Sequence, residues 1–380
     1  MSSSDSATPT RDRRRVLVVD DSAFMRRLVS DVVQESGEFE VVGTARDGHD
    51  ALRQVAALDP DLVTLDVDMP GLDGLAALEA IMRTRPRPVV MLRAGGSDGG
   101  VDATLRALER GAVDFVRKPS GAISLDLDAV RDQLVQALRA AATVHLSHPT
   151  ERPRAPVASR GPVVMESGAP LIGGRHTPQP PAAVVCIAAS TGGPAALARV
   201  VPLLPAWSDV AVLIVQHMPP GFTASFARRL DGQSRLRVAE AVHGEPLRAG
   251  HAYVAPGGLH LLVQGSAQAP RIALSEEAPL WGVRPAADLL FRSVAALYGP
   301  RALGVVMTGM GCDGAEGLMA VRTAGGGALV QDVASSVIPG MPQAAVRHAG
   351  VDAEVPLEEL AGAMAAQLEA RRAAGWCASA

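Results

Sequence analysis

Short apolar runs alternate with stretches of helical period twice along this chain, and that alternation admits few folds. In the first half the apolar runs fall at 14–19, 40–43, 62–65, 88–92 and 113–116. Stretches of helical period follow at 24–37, 51–58, 75–83, 102–110 and 125–142. The pattern resumes at 184. Apolar runs at 184–187, 211–215, 238–242, 251–254, 259–263, 271–274, 303–307 and 328–331 are interleaved with helical stretches at 195–201, 222–230, 285–297, 315–324 and 342–348. A strand that must cross over through a helix before the next strand gives an α/β fold with a parallel, doubly wound sheet. Two such sheets are expected, each with ligands at the carboxyl ends of its strands.

Between them, residues 144–181 lose periodicity, and eight prolines fall from Pro149 to Pro181. This stretch reads as an extended interdomain tether. The expected domains are therefore a tail over 1–13, a first domain over 14–143, a linker over 144–181, a second domain over 182–372 and a tail over 373–380. A net charge of −4 gives no basic field for nucleic acid. No apolar run approaches a membrane span, and residues 1–10 are polar, without the apolar core of a secretory signal. Cys186, Cys312 and Cys377 are scattered without metal-like spacing, so reduced thiols and a cytoplasmic location are expected.

In the first domain, apolar runs end on Asp20 and Asp21, on Asp66, and on Arg117 and Lys118. Lys118 is the one lysine among 36 basic residues. Carboxylates converging on one sheet edge repel each other unless a cation joins them, and oxygen donors of this kind suit Mg²⁺. Asp66 is placed to accept a phosphoryl group as an acyl phosphate, with the metal and Lys118 neutralising the charge. Aspartates that merely cap the following helices give part of this pattern, but not its combination with Lys118.

Val19-Asp20-Asp21-Ser22, Leu65-Asp66 with Met69-Pro70, and Lys118-Pro119 closely resemble the motifs of two-component receiver domains. The resemblance implies phosphorylation of Asp66 by a histidine kinase of the chemotaxis type. It also implies Asp20, Asp21, Asp66 and the backbone of Asp68 around Mg²⁺, and a cis bond before Pro119. Phe115 occupies the family's aromatic switch position. Where the family has Thr or Ser near the end of the fourth strand, this chain has Arg93, followed by a loose loop at 95–100. Arg93 can pair with the phosphoryl group as a charged substitute, or pair with Asp66 and either mimic the active state or abolish switching.

In the second domain, apolar runs lead to Ser190, His217 and, through a glycine-rich loop, Asp313. Pro194 suits a first helical turn, so Ser190 lies where a strand gives way to a helix. An ordinary tight turn or a helix cap looks the same, and only the company of His217 and Asp313 favours a nucleophile. Serine needs a base, the base needs a carboxylate to orient it, and backbone N–H groups at Thr191 and Met310 are candidates to hold an oxyanion. His243, His251, His260 and His348 are rival bases. Cys312 is a rival nucleophile without an obvious base. Residues 308–314 read alternatively as an anion-binding turn. Cys186 reads as core.

Ala189-Ser190-Thr191-Gly192-Gly193-Pro194, Gln216-His217-Met218-Pro219, Ala255-Pro256-Gly257, Arg284-Pro285, Thr308-Gly309-Met310-Gly311 and Gly340-Met341-Pro342 closely resemble the catalytic domain of the chemotaxis protein-glutamate methylesterases, the CheB family. The resemblance implies hydrolysis of glutamate γ-methyl esters on methyl-accepting chemoreceptors, with Ser190, His217 and Asp313 as the catalytic set and no cofactor for that chemistry. Many members also deamidate receptor glutamines. It further implies that the receiver covers the active site until Asp66 is phosphorylated. A monomer without nucleic-acid or membrane partners is expected. The rivals are a non-catalytic signalling adaptor and an esterase whose receiver does not switch.

Overall fold

The structure, a computed structural model, describes residues 13–93, 98–118, 127–144 and 179–376. The expected tails and linker, and the bond before Pro119, lie wholly or mostly outside these residues.

The first unit runs β1 (Arg14–Val19), α1 (Ala23–Glu35), β2 (Phe39–Ala45), α2 (Gly48–Leu58), β3 (Leu62–Asp66), α3 (Gly74–Thr84), β4 (Val89–Arg93), α4 (Asp98–Glu109), β5 (Asp114–Arg117) and α5 (Leu127–Thr143). Its five strands are parallel in the order β2-β1-β3-β4-β5. The central β3 and β4 are buried along their whole length, as strands covered by helices on both faces must be. Short polar side chains start the helices: Ser22, Asp47 and Asp73 each accept a backbone N–H from the first turn that follows.

The second unit runs β6 (Ala183–Ala189), α6 (Gly193–Val200), β7 (Val210–Gln216), α7 (Thr223–Asp231), β8 (Arg237–Glu240), β9 (His251–Val254), β10 (His260–Ser266), β11 (Ala269–Ser275), α8 (Ala287–Tyr298), β12 (Ala302–Val306), α9 (Ala315–Thr323), β13 (Gly327–Gln331), α10 (Gly340–Ala349), β14 (Ala353–Val355) and α11 (Leu360–Ala373). Seven strands form a parallel sheet in the order β14-β13-β12-β6-β7-β9-β8. From β6 the chain builds outward through β7 on one side, then returns through β12 on the other. The strand order therefore reverses beside β6, and the crevice of a doubly wound sheet opens at that point. The apolar runs at 259–263 and 271–274 do not join this sheet; β10 and β11 pair only with each other, antiparallel. The strand β14 and the helix α11 were not expected from the sequence.

The two units are packed together. Helix α4 of the first lies against α6 and α7 of the second. Val101, Leu105 and Leu108 join one apolar cluster with Leu197, Met218 and Phe226. Among the described residues, no helix is long and apolar enough to cross a membrane.

Candidate active site

Strands β12, β6 and β7 are neighbours, and the loops after them carry Asp313, Ser190 and His217. The Ser190 backbone is fixed from three directions. Its N–H donates to the Thr308 carbonyl at 3.0 Å, and its carbonyl accepts from Gly193 N–H at 2.8 Å and from Gln216 Nε2 at 3.0 Å. A side chain at Gly193 would run into the Gln216 amide that holds Ser190 and into Ala189 Cβ. The loop after β12 touches the same spot, since a Cβ on Gly309 would lie 2.7 Å from Ser190 Cβ.

His217 is bound to the same strand end, with its N–H donating to Ala189 O at 3.1 Å. Its ring Nε2 meets Asp313 Oδ2 at 2.8 Å. With Nε2–H given to Asp313, Nδ1 is the nitrogen left with a lone pair. Among the described residues Ser190 Oγ makes no hydrogen bond to the ring, although both residues line one cavity. Asp313 is buried and also accepts from the N–H groups of Ala287 at 2.6 Å and Asp288 at 3.0 Å, at the start of α8. Burial alone pushes its carboxyl up. The bond from His217, the electrostatic pull of that ring and the two amides outweigh burial and hold it below the ordinary carboxylate value. Asp313 therefore stays ionised beside the imidazole, as a group that stabilises an imidazolium must.

The candidate oxyanion donors, the N–H groups of Thr191 and Met310, have no hydrogen-bond acceptor among the described residues. Thr308 ties their two loops together: its hydroxyl donates to Thr191 O at 3.0 Å and accepts from Ile338 N–H at 2.9 Å. The rival bases are otherwise engaged or remote. His260 is buried, with Nδ1 accepting from Ala286 N–H at 3.1 Å and Nε2 donating to Ala278 O at 3.2 Å. His251 donates to Ala249 O, His243 accepts from Leu274 N–H, and His348 is exposed on α10. Burial raises the Cys312 thiol, as do the neighbouring carboxylates, which makes it a poor thiolate.

The roles of three residues escaped the sequence reading. Gln216 donates to both Ser190 O and His217 O, joining the two loops through one amide. Asp288 holds Asp313 through its backbone N–H. Asp114 of β5 accepts from the Thr191 hydroxyl at 3.0 Å, across the interface between the two units. The Gln at a buried strand end was the one visible signal.

At the end of the first sheet, carboxylate oxygens of Asp20, Asp21 and Asp66 lie within 4.8 Å of one another. Asp20 and Asp66 are buried and Asp21 is exposed. Lys118 Nζ sits 2.6 Å from Asp20 and 2.7 Å from Asp66. Asp68 N–H points at Asp66 Oδ1 at 3.4 Å. Burial drives the Asp66 carboxyl up to about 6, against the pull of Lys118. Three carboxylates opposed by one ammonium leave an excess of negative charge that a hard divalent cation offsets, so the residues fit Mg²⁺.

Between the two centres, Phe115 stacks on Phe222 with ring centroids 4.6 Å apart. The Arg93 guanidinium lies over the same Phe222 ring at 4.9 Å. The structure thus places Arg93, expected beside the phosphoryl site, against a ring of the second unit. Arg229 of α7 pairs with Glu109 and, at 3.3 Å, with Asp102. Asp114, Phe115, Ser190, Thr191, His217 and Met218 together enclose a cavity of about 30 Å³, space for a water and not for a polypeptide segment. The first unit closes the rim on which Ser190 stands.

Comparison with known proteins gives the same two halves. A family model described as CheB methylesterase matches residues 185–364, and one described as response regulator receiver domain matches residues 16–130. The protein-glutamate methylesterase/protein-glutamine glutaminase of Symbiobacterium thermophilum is 46% identical over 92% of this chain and 96% of that protein. The protein of the same name from Pyrococcus horikoshii is 43% identical over 95% of each. The crystal structure of the Thermotoga maritima CheB methylesterase catalytic domain is 36% identical, covering 48% of this chain and 96% of that one, with a TM-score of 0.47.

Proposed function

Since the chain belongs to the CheB methylesterase family, with receiver and esterase in one polypeptide, we propose that Ser190, His217 and Asp313 hydrolyse glutamate γ-methyl esters on methyl-accepting chemoreceptors. The observation that carries this reading is the pairing of His217 with the buried Asp313 at 2.8 Å, beside Ser190 at the switch point of the sheet. Ser190 Oγ attacks the ester carbonyl while His217 Nδ1 takes its proton. The N–H groups of Thr191 and Met310 receive the oxyanion. The imidazolium, stabilised by Asp313, then protonates the departing methoxide, and methanol leaves. Water, deprotonated by His217, releases the glutamate carboxylate and restores Ser190. The same sequence on a glutamine side chain releases ammonia, which accounts for deamidation.

Control lies in the receiver. A carboxylate oxygen of Asp66 takes the phosphoryl group of a histidine kinase of the chemotaxis type, and Lys118 pairs with the transferred group. Asp20, Asp21, Asp66 and the Asp68 backbone would hold Mg²⁺, which supplies charge neutralisation at the acceptor. The new charge on Asp66, at the end of the neighbouring strand, competes with Phe222 for the Arg93 guanidinium and loosens the contact that closes the site. The test is methanol release from methylated chemoreceptor membranes, with and without acetyl phosphate, for wild type, Ser190→Ala, Asp66→Ala and Arg93→Thr. Ser190→Ala lowers turnover by roughly a thousandfold or more with folding intact. Near-normal demethylation by that variant removes the catalytic assignment. Equal activity of wild type with and without phosphodonor removes the control assignment.

A further inference from the structure

Trp281 is half exposed, at 52%, and its backbone has φ of 55°, a region that bulky L-residues avoid. Two other non-glycine residues among those described have positive φ, Asp59 and Trp376. Asp59 ends α2 and Trp376 closes the turn after α11, where a left-handed residue is an ordinary way to stop a helix. Trp281 ends no helix. With Gly282, at φ 78°, it forms the centre of a tight turn in which Leu280 and Val283 exchange backbone hydrogen bonds of 3.2 and 3.0 Å. A turn with both central residues at positive φ favours Asn-Gly. An indole there is strained, and the turn gains nothing from it.

The indole is nonetheless anchored. Its Nε1–H donates to Asp288 Oδ2 at 2.8 Å. Asp288 is wholly buried, its other oxygen accepts from Gly317 N–H at 2.6 Å, and its own N–H donates to Asp313. One edge of the ring is therefore tied to the residue that holds the catalytic carboxylate, while much of its apolar surface stays in water. Met310, beside the Gly309 that touches Ser190, is 45% exposed. Two large apolar side chains thus stand in solvent on loops that serve the reactive groups.

We propose that Trp281 is a specificity residue for the protein substrate, its free face packing on the apolar surface of the receptor segment that carries the ester. This rests on the esterase reading above. A methyl ester offers a small handle, so selection has to come from the surface around it. A tethered aromatic side chain loses little entropy on binding and makes a strong anchor.

The test uses the full chain with acetyl phosphate and compares kcat/KM on methylated chemoreceptor membranes and on p-nitrophenyl acetate. Trp281→Asn suits the turn but gives up the bond to the buried Asp288, as Trp281→Phe also does, so the two variants are compared with each other and across the two substrates. For Trp281→Asn the loss on receptor exceeds the loss on the small ester by about tenfold or more, whereas Trp281→Phe, which keeps an apolar face, stays within about threefold of wild type on receptor. Equal losses on both substrates mean that Trp281 only supports Asp288 and the triad, and they overturn the assignment. So does unchanged receptor activity in Trp281→Asn. A wild type inactive on both substrates overturns the esterase reading and this inference with it.

Discussion

Truncating Phe115 to Ala should switch on the esterase without phosphorylation. Phe115 belongs to β5 of the receiver and stacks on Phe222 of the catalytic domain at 4.6 Å. An aromatic pair contributes about 0.5–1.5 kcal/mol beyond the area it buries. Adding the apolar surface lost from this partly buried ring brings the total to about 1–2 kcal/mol. Since each 1.4 kcal/mol is about tenfold in an equilibrium, docked receiver is disfavoured by roughly 5- to 30-fold. The Asp114–Thr191 bond and the Arg229 ion pairs remain, so docking weakens without being abolished. Basal methanol release is expected to rise by that factor and stimulation by acetyl phosphate to shrink in proportion. The same rise is expected in an Asp66→Ala background, which shows that it bypasses the phosphoryl site. A basal rate within about twofold of wild type, in a variant with an unchanged melting curve, would refute the claim that this stack holds the site shut.

Three further outcomes follow from buried carboxylates. Asp313→Asn removes the anion that orients His217 and stabilises the imidazolium, and turnover on methylated receptor is expected to fall by roughly ten-thousandfold; a loss under about tenfold speaks against the role. Burial pushes the Asp114 carboxyl up to about 6 from 3.8, opposed by the Phe115 N–H and the Thr191 hydroxyl. The docked carboxyl then binds its proton more tightly than a solvated one, so docking is favoured at low pH and loses that contribution as pH rises from 3.8 through about 6. Asp114→Asn binds no proton, and the ratio of wild-type to variant basal activity should rise across that window and level off above it; a flat ratio contradicts the coupling. Asp66, likewise raised to about 6, makes the folded receiver least stable above that pH and more stable as pH falls toward 3.8. Without Mg²⁺, Asp66→Asn should raise the melting temperature at pH 7, by up to about 3 kcal/mol in stability. The gain should vanish near pH 4 and shrink when Mg²⁺ is added to wild type; a lower melting temperature at pH 7 overturns this account.

Both sheets were legible because each central strand is buried on two faces and so reads as an unbroken apolar run, as in residues 211–215 of β7. The pieces that were missed lack that signature. Strand Ala353–Val355 has three residues, two of them exposed. Helix Leu360–Ala373 is so rich in alanine that its apolar stripe barely stands out. Ser190 and His217 were legible because each directly follows a strand. Asp313 lies well past the end of Ala302–Val306, and only its glycine-rich loop marked it. Asp288 was invisible for a plain reason: an acidic residue in the first turn of a helix is commonplace, and nothing local says that its N–H serves a carboxylate across the fold. The bond from Thr191 to Asp114 and the seat of Arg93 on Phe222 join residues far apart in the chain, and no local pattern encodes them.

The plug sits on the working edge itself, because the receiver grips Thr191, the very neighbour of Ser190, the proposed nucleophile. Admitting a receptor would mean breaking that grip. On the proposed control, the observed rate would count the molecules whose receiver has let go of Thr191, and phosphorylation would set that number.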